Sequence, residues 1–158
     1  MTAAQRLENV QQRVADACQS VGRDPSDVTI VAVSKKQPVS SIQELYDLGV
    51  RDFGENRIQE ALAKIPELPA DIRWHFVGKL QSNKVKSAAG KFHLIHSIES
   101  EKQLKELVKA GIETDVLVQV NIGEEEQKSG VELEGVDELV EKVLKLGIVR
   151  FRGLMTIG

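Results

Sequence analysis

The sequence predicts a parallel α/β fold, and within that class a TIM-type (β/α) barrel that is incomplete, with about six of the eight βα units. Three observations favour it. Helix and strand patterns alternate along the whole chain, as in parallel α/β proteins. The first predicted strand is apolar on both faces, which is typical of a strand covered on both sides. The turn after it, Ser34-Lys35-Lys36-Gln37-Pro38, has no glycine, whereas a doubly wound sheet, the alternative, usually has a glycine-rich turn there.

The first predicted helix has apolar residues at spacings of three and four, which place them on one face. They are Leu7, Val10, Val14, Ala17 and Val21. Thr2 and Gln5 have the spacing of a capping box, and Gly22 suits the left-handed conformation that ends many helices. The β-branched run at residues 28–33 then predicts the first strand.

Five further helix–strand pairs follow, and a glycine or proline comes after each helix. We predict helices at residues 41–48, 56–65, 82–89, 100–110 and 133–146, and strands at residues 50–54, 72–77, 92–96, 115–122 and 149–155. A complete barrel typically needs about 200 to 250 residues, and this chain has 158. We therefore expect residues 1–158 to form a single barrel domain whose C-terminal part is missing.

Composition limits the classes of partner. The net charge is −3, without the basic excess that is usual in nucleic-acid-binding proteins. The single cysteine, Cys18, excludes an internal disulfide and is compatible with a reducing compartment. The sequence shows neither a signal-peptide pattern nor an apolar run near the ~18 residues that a membrane helix needs. We expect a cytoplasmic protein with no nucleic-acid or membrane partner.

Lys35 is the main candidate for chemistry. It shares strand parity with Val31 and Val33, so it is expected above apolar neighbours at the mouth of the barrel, where functional residues of such barrels lie. Desolvation there would lower the pKa of the amine, and a neutral amine is what attack on an aldehyde requires. The alternative is an exposed loop lysine, which is the usual environment of lysine.

Other polar residues near strand ends give weaker indications. Asn56 follows a strand and either caps the next helix or reaches a ligand. His93 and His96 are three apart on a predicted strand and so are expected on opposite faces, which argues against a shared metal ion; no metal site is predicted. The acidic run at residues 124–126 is expected to be a solvated loop.

Seven stretches in order along the chain resemble the pyridoxal-phosphate homeostasis proteins, whose fold is similar to the barrel domain of alanine racemase. They are Ala32-Val33-Ser34-Lys35, Phe53-Gly54-Glu55-Asn56, Trp74-His75-Phe76-Val77-Gly78, Leu80-Gln81-Ser82-Asn83-Lys84, Gln119-Val120-Asn121-Ile122, Lys128-Ser129-Gly130 and Gly153-Leu154-Met155. These stretches are distributed over nearly the whole chain from Val28 onward.

The resemblance implies that Lys35 carries pyridoxal 5'-phosphate as a Schiff base and that Asn56 and Met155 lie close to the cofactor. It implies a protein that binds the cofactor and balances its supply without turnover, and that is a monomer at full length. The phosphate-binding segments of the family follow residue 158. We therefore expect the 158-residue chain alone to bind the cofactor weakly, and its open sheet edges to favour self-association.

Two other functions remain open. An amino-acid racemase of the same barrel class needs a second acid–base group across the cofactor from Lys35. Racemases that resemble this barrel take a tyrosine from a second domain or subunit, whereas the one tyrosine here, Tyr46, is expected on the barrel exterior. The third possibility is a barrel or interaction protein without a cofactor.

Overall fold

A computed structural model describes residues 1–123 and 129–158 and contains a seven-stranded parallel sheet. The strands are β1 (Ala32–Val33), β2 (Asp52–Glu55), β3 (Arg73–Phe76), β4 (Leu94–Ile98), β5 (Thr114–Asn121), β6 (Val131–Glu132) and β7 (Val149–Met155). Strands β1 to β5 pair in chain order, and both β6 and β7 pair with β5. Among the described residues β1 and β7 do not pair, so the sheet is open, as expected for an incomplete barrel.

Six α-helices accompany the strands in the described ranges: α1 (Ala3–Ser20), α2 (Val39–Asp47), α3 (Ile58–Lys64), α4 (Val85–Ala88), α5 (Glu101–Ala110) and α6 (Val136–Leu144). The predicted capping box at Thr2 and Gln5 is present, and Gly22 has a positive φ of 68°. None of these helices combines the length and the apolar character needed to cross a membrane.

The first strand differs most from its prediction. It contains only Ala32 and Val33, and the Val33 side chain is 51% exposed instead of covered. β1 is an edge strand, and its pairing with β2 begins at Ala32. Residues 28–31 therefore lie before the ladder, and among the described residues no strand pairs with the outer edge of β1. The prediction of a six-residue strand covered on both faces was wrong.

Three smaller differences concern the helices and one short strand. The helix predicted at residues 82–89 is a 3₁₀ turn, Ser82–Lys84, followed by the single turn of α4. Strand β6 was not predicted. The apolar face of α1 is incompletely covered, since Val10 is 43% and Val21 75% exposed.

The acidic run at residues 124–126, and Lys128 of the Lys128-Ser129-Gly130 motif, lie outside the described residues.

One hydrophobic core joins the sheet to the helices. It takes alternate strand positions, such as Phe53 of β2, Phe76 of β3 and Val116 of β5, together with helix residues such as Ala61 and Leu107. We call this the helix-covered face of the sheet. Because successive strand residues point to opposite sides, the intervening positions form the other, inner face.

Three valine side chains lie close to Gly54 on the inner face, near β1, β2 and β3. A side chain at Gly54 would place its Cβ 3.3 Å from Val31 Cγ1, 3.4 Å from Val33 Cγ2 and 3.5 Å from Val77 Cγ1. These three valines therefore pack over the backbone of Gly54, and the inner face here is apolar. This is the surface above which Lys35 was expected.

Gly78 brings the loops after β2 and β3 into backbone contact. A Cβ at Gly78 would lie 2.2 Å from the carbonyl oxygen of Asn56, so no side chain fits without a backbone shift. We expect Gly78→Ala to lower the free energy of unfolding by about 1 to 3 kcal/mol, the usual cost of overpacking. Urea unfolding measures this.

Gly147→Ala is the matched control, because nothing lies within 4 Å of its added Cβ. Its free energy of unfolding should change by no more than about 0.5 kcal/mol. Equal effects of the two substitutions would show that the contact at Gly78 does not hold the loops together.

Candidate functional site

Lys35 follows the carboxyl end of β1. The amide of Ser34 donates to the carbonyl oxygen of Gly54 at 2.8 Å and extends the ladder by one residue. The Ser34 side chain is buried and donates to Glu55 Oε1 at 2.7 Å, so Ser34 faces the helices, and Lys35 begins the turn that follows β1. Lys35 is exposed, and its amine has no hydrogen bond or ion pair with the described residues.

The expected burial of Lys35 is therefore not observed. The sheet is open at β1, and the apolar surface beneath Lys35 is covered by no neighbouring strand on that side. A desolvated amine at the barrel mouth was predicted, whereas the structure has a solvated one. The amine is accessible, and no carboxylate within residues 1–123 and 129–158 pairs with it.

Asn56 directly follows β2, the strand that pairs with β1. Lys35 and Asn56 thus each come soon after the carboxyl end of one of two paired strands. Asn56 does not cap α3, because the N-cap position is Arg57, which makes no side-chain capping bond. The helix-capping interpretation of Asn56 was wrong.

Asn56 also lines a cleft of about 340 Å³ at the carboxyl ends of β2 and β3. Its lining includes the cationic side chains of Arg57, Lys79 and Lys84, but no acidic residue. The cleft therefore has a positive lining, which is compatible with an anionic ligand.

Met155 ends β7 and pairs with Gln119 of β5. β7 and β1 are the two edges of the main sheet, with β2 to β5 between them. Of the three residues proposed from the sequence, Lys35 and Asn56 follow the carboxyl ends of the adjacent strands β1 and β2, and Met155 ends β7 at the opposite edge.

A buried ion-pair cluster behind Lys35 was missed by the sequence reasoning. Lys64 Nζ lies 2.7 Å from Glu55 Oε1, 2.7 Å from Glu60 Oε1 and 2.9 Å from the carbonyl oxygen of Ser34. Glu55 is completely buried, and the Lys64 side chain is 9% exposed. Burial alone would lower the pKa of Lys64, but the hydrogen bonds and charges of the two glutamates outweigh it and raise the pKa. Lys64 is therefore a charged amine held in place by carboxylates.

The sequence did carry a signal for this cluster. Ile58, Ala61 and Ile65 have helical spacing and mark the covered face of α3, and Lys64, three residues after Ala61, lies on the same face. A lysine on an apolar helix face is expected to find a buried acid, because an unpaired buried charge is costly.

A row of polar side chains links β2, β3 and β4 on the inner face. Arg73 Nε donates to Asp52 Oδ1 at 2.8 Å, His75 Nε2 lies 2.9 Å from the same oxygen, and His75 Nδ1 lies 2.8 Å from His96 Nε2. With Asp52 ionised, His75 Nε2 carries the proton and donates to it, so Nδ1 of neutral His75 accepts from His96 Nε2–H. Both ring nitrogens of His75, and Nε2 of His96, then have a hydrogen-bond partner.

The environment disfavours protonation of both histidines. Burial lowers the pKa of His75, and the partly compensating hydrogen bond and charge of Asp52 do not restore it. Burial and the neighbouring His75 lower the pKa of His96 to about 4. Burial would raise the pKa of Asp52, but its bonds with Arg73 and His75 lower it overall.

The histidine geometry corrects one expectation. His93 and His96 were expected on opposite faces, yet the His75 ring contacts both, with centroids 5.5 Å and 5.1 Å away. His93 lies just before β4, and the pairing of β4 with β5 shifts register between Ile95 and Ile98, so simple alternation does not apply. Within residues 1–123 and 129–158, no group of three or more potential ligands is placed to hold a metal ion.

Tyr46 lies on α2, away from Lys35 in the outer layer. Its hydroxyl donates to Asp71 Oδ1 at 2.7 Å, and the Arg51 guanidinium stacks on its ring with the carbon 3.8 Å from the centroid. The one tyrosine of the chain is thus engaged outside the sheet, as the sequence pattern predicted.

Comparisons with known proteins agree on one family. The family model described as "Alanine racemase, N-terminal domain" matches residues 6–158. The chain is 43% identical to the pyridoxal phosphate homeostasis protein of Aquifex aeolicus over 162 residues, covering 99% of this chain and 71% of that protein. It is 35% identical to PipY of Synechococcus elongatus, solved with PLP bound, with a TM-score of 0.77, covering 92% of this chain and 70% of that one. Alanine racemase from Streptomyces coelicolor, 20% identical with a TM-score of 0.69 over 82% of this chain and 37% of that one, shares the fold.

The His75–His96 pair gives a prediction about acid stability. The folded-state pKa of His96, about 4, lies below its unfolded value near 6.5. Between these values the unfolded chain binds a proton that the folded chain does not, so the free energy of unfolding should fall as the pH decreases from about 6.5 to about 4. Urea unfolding across this range measures the slope.

His96→Gln keeps an N–H that can donate to His75 Nδ1 but removes the titrating ring. We expect a shallower loss of stability in this variant, with the remainder due to His75. A slope identical to that of the unaltered chain would contradict the assignment.

Proposed function

Because the chain belongs to the family of pyridoxal phosphate homeostasis proteins, we propose that it binds pyridoxal 5'-phosphate covalently through a Schiff base at Lys35 and serves to balance the supply of this cofactor. Asn56 and Met155 are proposed to contact the bound cofactor, and residues 1–158 are proposed to act as a single cofactor-binding barrel domain. The proposal assigns no turnover to the protein.

The proposal rests on the position of Lys35 at the end of β1 and on the accessibility of its amine. Lys35 stands at the carboxyl end of the first strand, where barrels of this class bind ligands. Its amine has no acid partner among the described residues, whereas Lys64 nearby is held by two carboxylates. An accessible amine fits a ligand that bears a carbonyl group.

The cofactor supplies an aldehyde carbon that condenses with a primary amine, with release of water. Lys35 provides that amine. Asn56, one strand away, provides an amide that donates and accepts hydrogen bonds, and the cationic cleft that it lines supports the preference for an anionic molecule. The apolar floor formed by Val31, Val33 and Val77 over Gly54 suits one face of an aromatic ring.

The position of Tyr46 argues against a racemase. Proton transfer on both faces of a substrate needs a second acid–base group opposite the lysine. Tyr46 is bonded to Asp71 and stacked under Arg51 on the outer layer, so it does not face Lys35. The names of the curated relatives agree with a role other than catalysis.

Reduction with borohydride tests the assignment to Lys35. The 158-residue chain is incubated with excess pyridoxal 5'-phosphate, reduced and mapped by peptide mass spectrometry. We expect the adduct chiefly on Lys35, and its loss in Lys35→Ala, because the Lys35 amine is accessible and lies at the carboxyl end of the first strand.

Lys36→Asn is the matched control. Lys36 is the neighbouring lysine and has a φ of 60°, a conformation that asparagine tolerates well. This variant should keep the adduct on Lys35. An adduct spread evenly over exposed lysines, or one that persists undiminished in Lys35→Ala, would contradict the proposal and favour a barrel protein without a cofactor.

A further inference from the structure

Both residues that flank Lys35 are bonded to the buried ion-pair cluster. On one side, the Ser34 hydroxyl donates to Glu55 Oε1 at 2.7 Å and the Ser34 carbonyl oxygen accepts from Lys64 Nζ at 2.9 Å. On the other side, the Lys36 amide donates to Glu60 Oε1 at 2.6 Å. The backbone before and after Lys35 is therefore held by side chains of β2 and α3.

The turn that these bonds hold is conformationally demanding. Lys36 has a φ of 60°, the only positive φ of a non-glycine residue in the described part of the chain. The amide of Gln37 donates to the carbonyl oxygen of Ser34 at 3.0 Å and closes the turn. A left-handed lysine persists only where its surroundings hold it in place, and here the carboxylate of Glu60 accepts its amide proton.

Lys64 connects the two sides of the turn. Its three ammonium protons match its three acceptors, which are Glu55, Glu60 and the Ser34 carbonyl. One oxygen of Glu55, Oε2, is buried without a hydrogen bond among the described residues. A buried ion pair with an unsatisfied atom contributes little net stability, since desolvation offsets the attraction. Its clearest effect is geometric, because it fixes α3 against the ends of β1 and β2.

We propose that Lys64, together with Glu55 and Glu60, is a positioning unit that clamps the backbone on both sides of Lys35 and directs the Lys35 amine toward the inner face. This inference rests on the proposed function, since it assigns a role in aldehyde capture to residues that do not touch the ligand. Lys64 is a positioning residue and Lys35 is the reacting one.

The clamp predicts a specific loss when it is removed. Without it, the turn at residues 34–37 relaxes and the Lys35 amine is no longer held in one direction. Because misplacement of a reacting group by about 1 Å can cost up to ~100-fold in rate, we expect capture of the aldehyde by Lys35 to slow by about 10-fold. Lys91, exposed in the turn before β4 and outside both the clamp and the cationic cleft, should react at an unchanged rate.

The test compares the labelling rates of Lys35 and Lys91 within the same molecule. Pyridoxal 5'-phosphate with borohydride is the probe, and peptide mass mapping gives the ratio. Glu60→Ala removes the acceptor of the Lys36 amide from the surface of α3, and Glu60→Gln restores an acceptor without the charge. The double variant Lys64→Met with Glu55→Gln removes the buried charges together, so that neither is left unpaired.

Lys142→Met is the control, since Lys142 bridges Glu101 and Glu138 at 3.0 Å and 2.7 Å on α5 and α6. The inference expects a reduced ratio of Lys35 to Lys91 labelling in Glu60→Ala and in the double variant, recovery in Glu60→Gln, and no change in Lys142→Met. Thermal unfolding identifies any variant that does not fold; if the double variant fails, Glu60→Ala decides.

Failure of the inference is distinguishable from failure of the proposed function. If folded Glu60→Ala labels Lys35 as fast as the unaltered chain, the clamp has no positioning role. If the unaltered chain forms no adduct at Lys35, the proposed function fails. The same variants are then compared by acetic anhydride labelling, which needs no cofactor, and an unchanged ratio of Lys35 to Lys91 would overturn the clamp as well.

Discussion

The alternation of strand residues between a helix-covered face and an open inner face determines the chemistry of this chain. At the end of β1, Ser34 points to the helices and bonds to the buried Glu55, and the next residue, Lys35, is exposed. Two amines near the end of β1 differ in character. Lys64 is enclosed on the helix-covered side, with both charge and direction fixed by carboxylates, whereas Lys35, in the turn after β1, is exposed and its amine is accessible.

The two faces also differ in how they hold polar groups. On the inner face, Asp52, His75 and His96 form a hydrogen-bonded chain across β2, β3 and β4 that favours neutral imidazoles. On the helix-covered side, the ions of Glu55 and Lys64 are joined directly. Both arrangements link neighbouring strands through side chains, and the second reaches the backbone around Lys35. The position of a reactive lysine at a strand end is thus set by residues that the ligand does not contact.

Much of the fold could be predicted from local patterns. β7 spans Val149–Met155, as its apolar run predicted, and α5 begins after the Ser100 cap and ends at Gly111. The prediction was wrong where tertiary context overrides pattern: β1 is short because its ladder with β2 begins only at Ala32, and strand alternation does not relate His93 to His96 because His93 lies before β4. Lys35 and Asn56 were proposed from the sequence, but the exposure of Lys35 depends on what covers the sheet edge. The role of Lys64 depends on the packing of α3 against β2, which helical spacing only indicates.

A crystal structure of the chain after reduction in excess pyridoxal 5'-phosphate is the most direct test of the central claim. We expect continuous electron density from Nζ of Lys35 to the cofactor, on the inner side of the β1 end and next to Asn56. Density joined to a different lysine, or a Lys35 side chain directed among the helices and free of ligand, would contradict it.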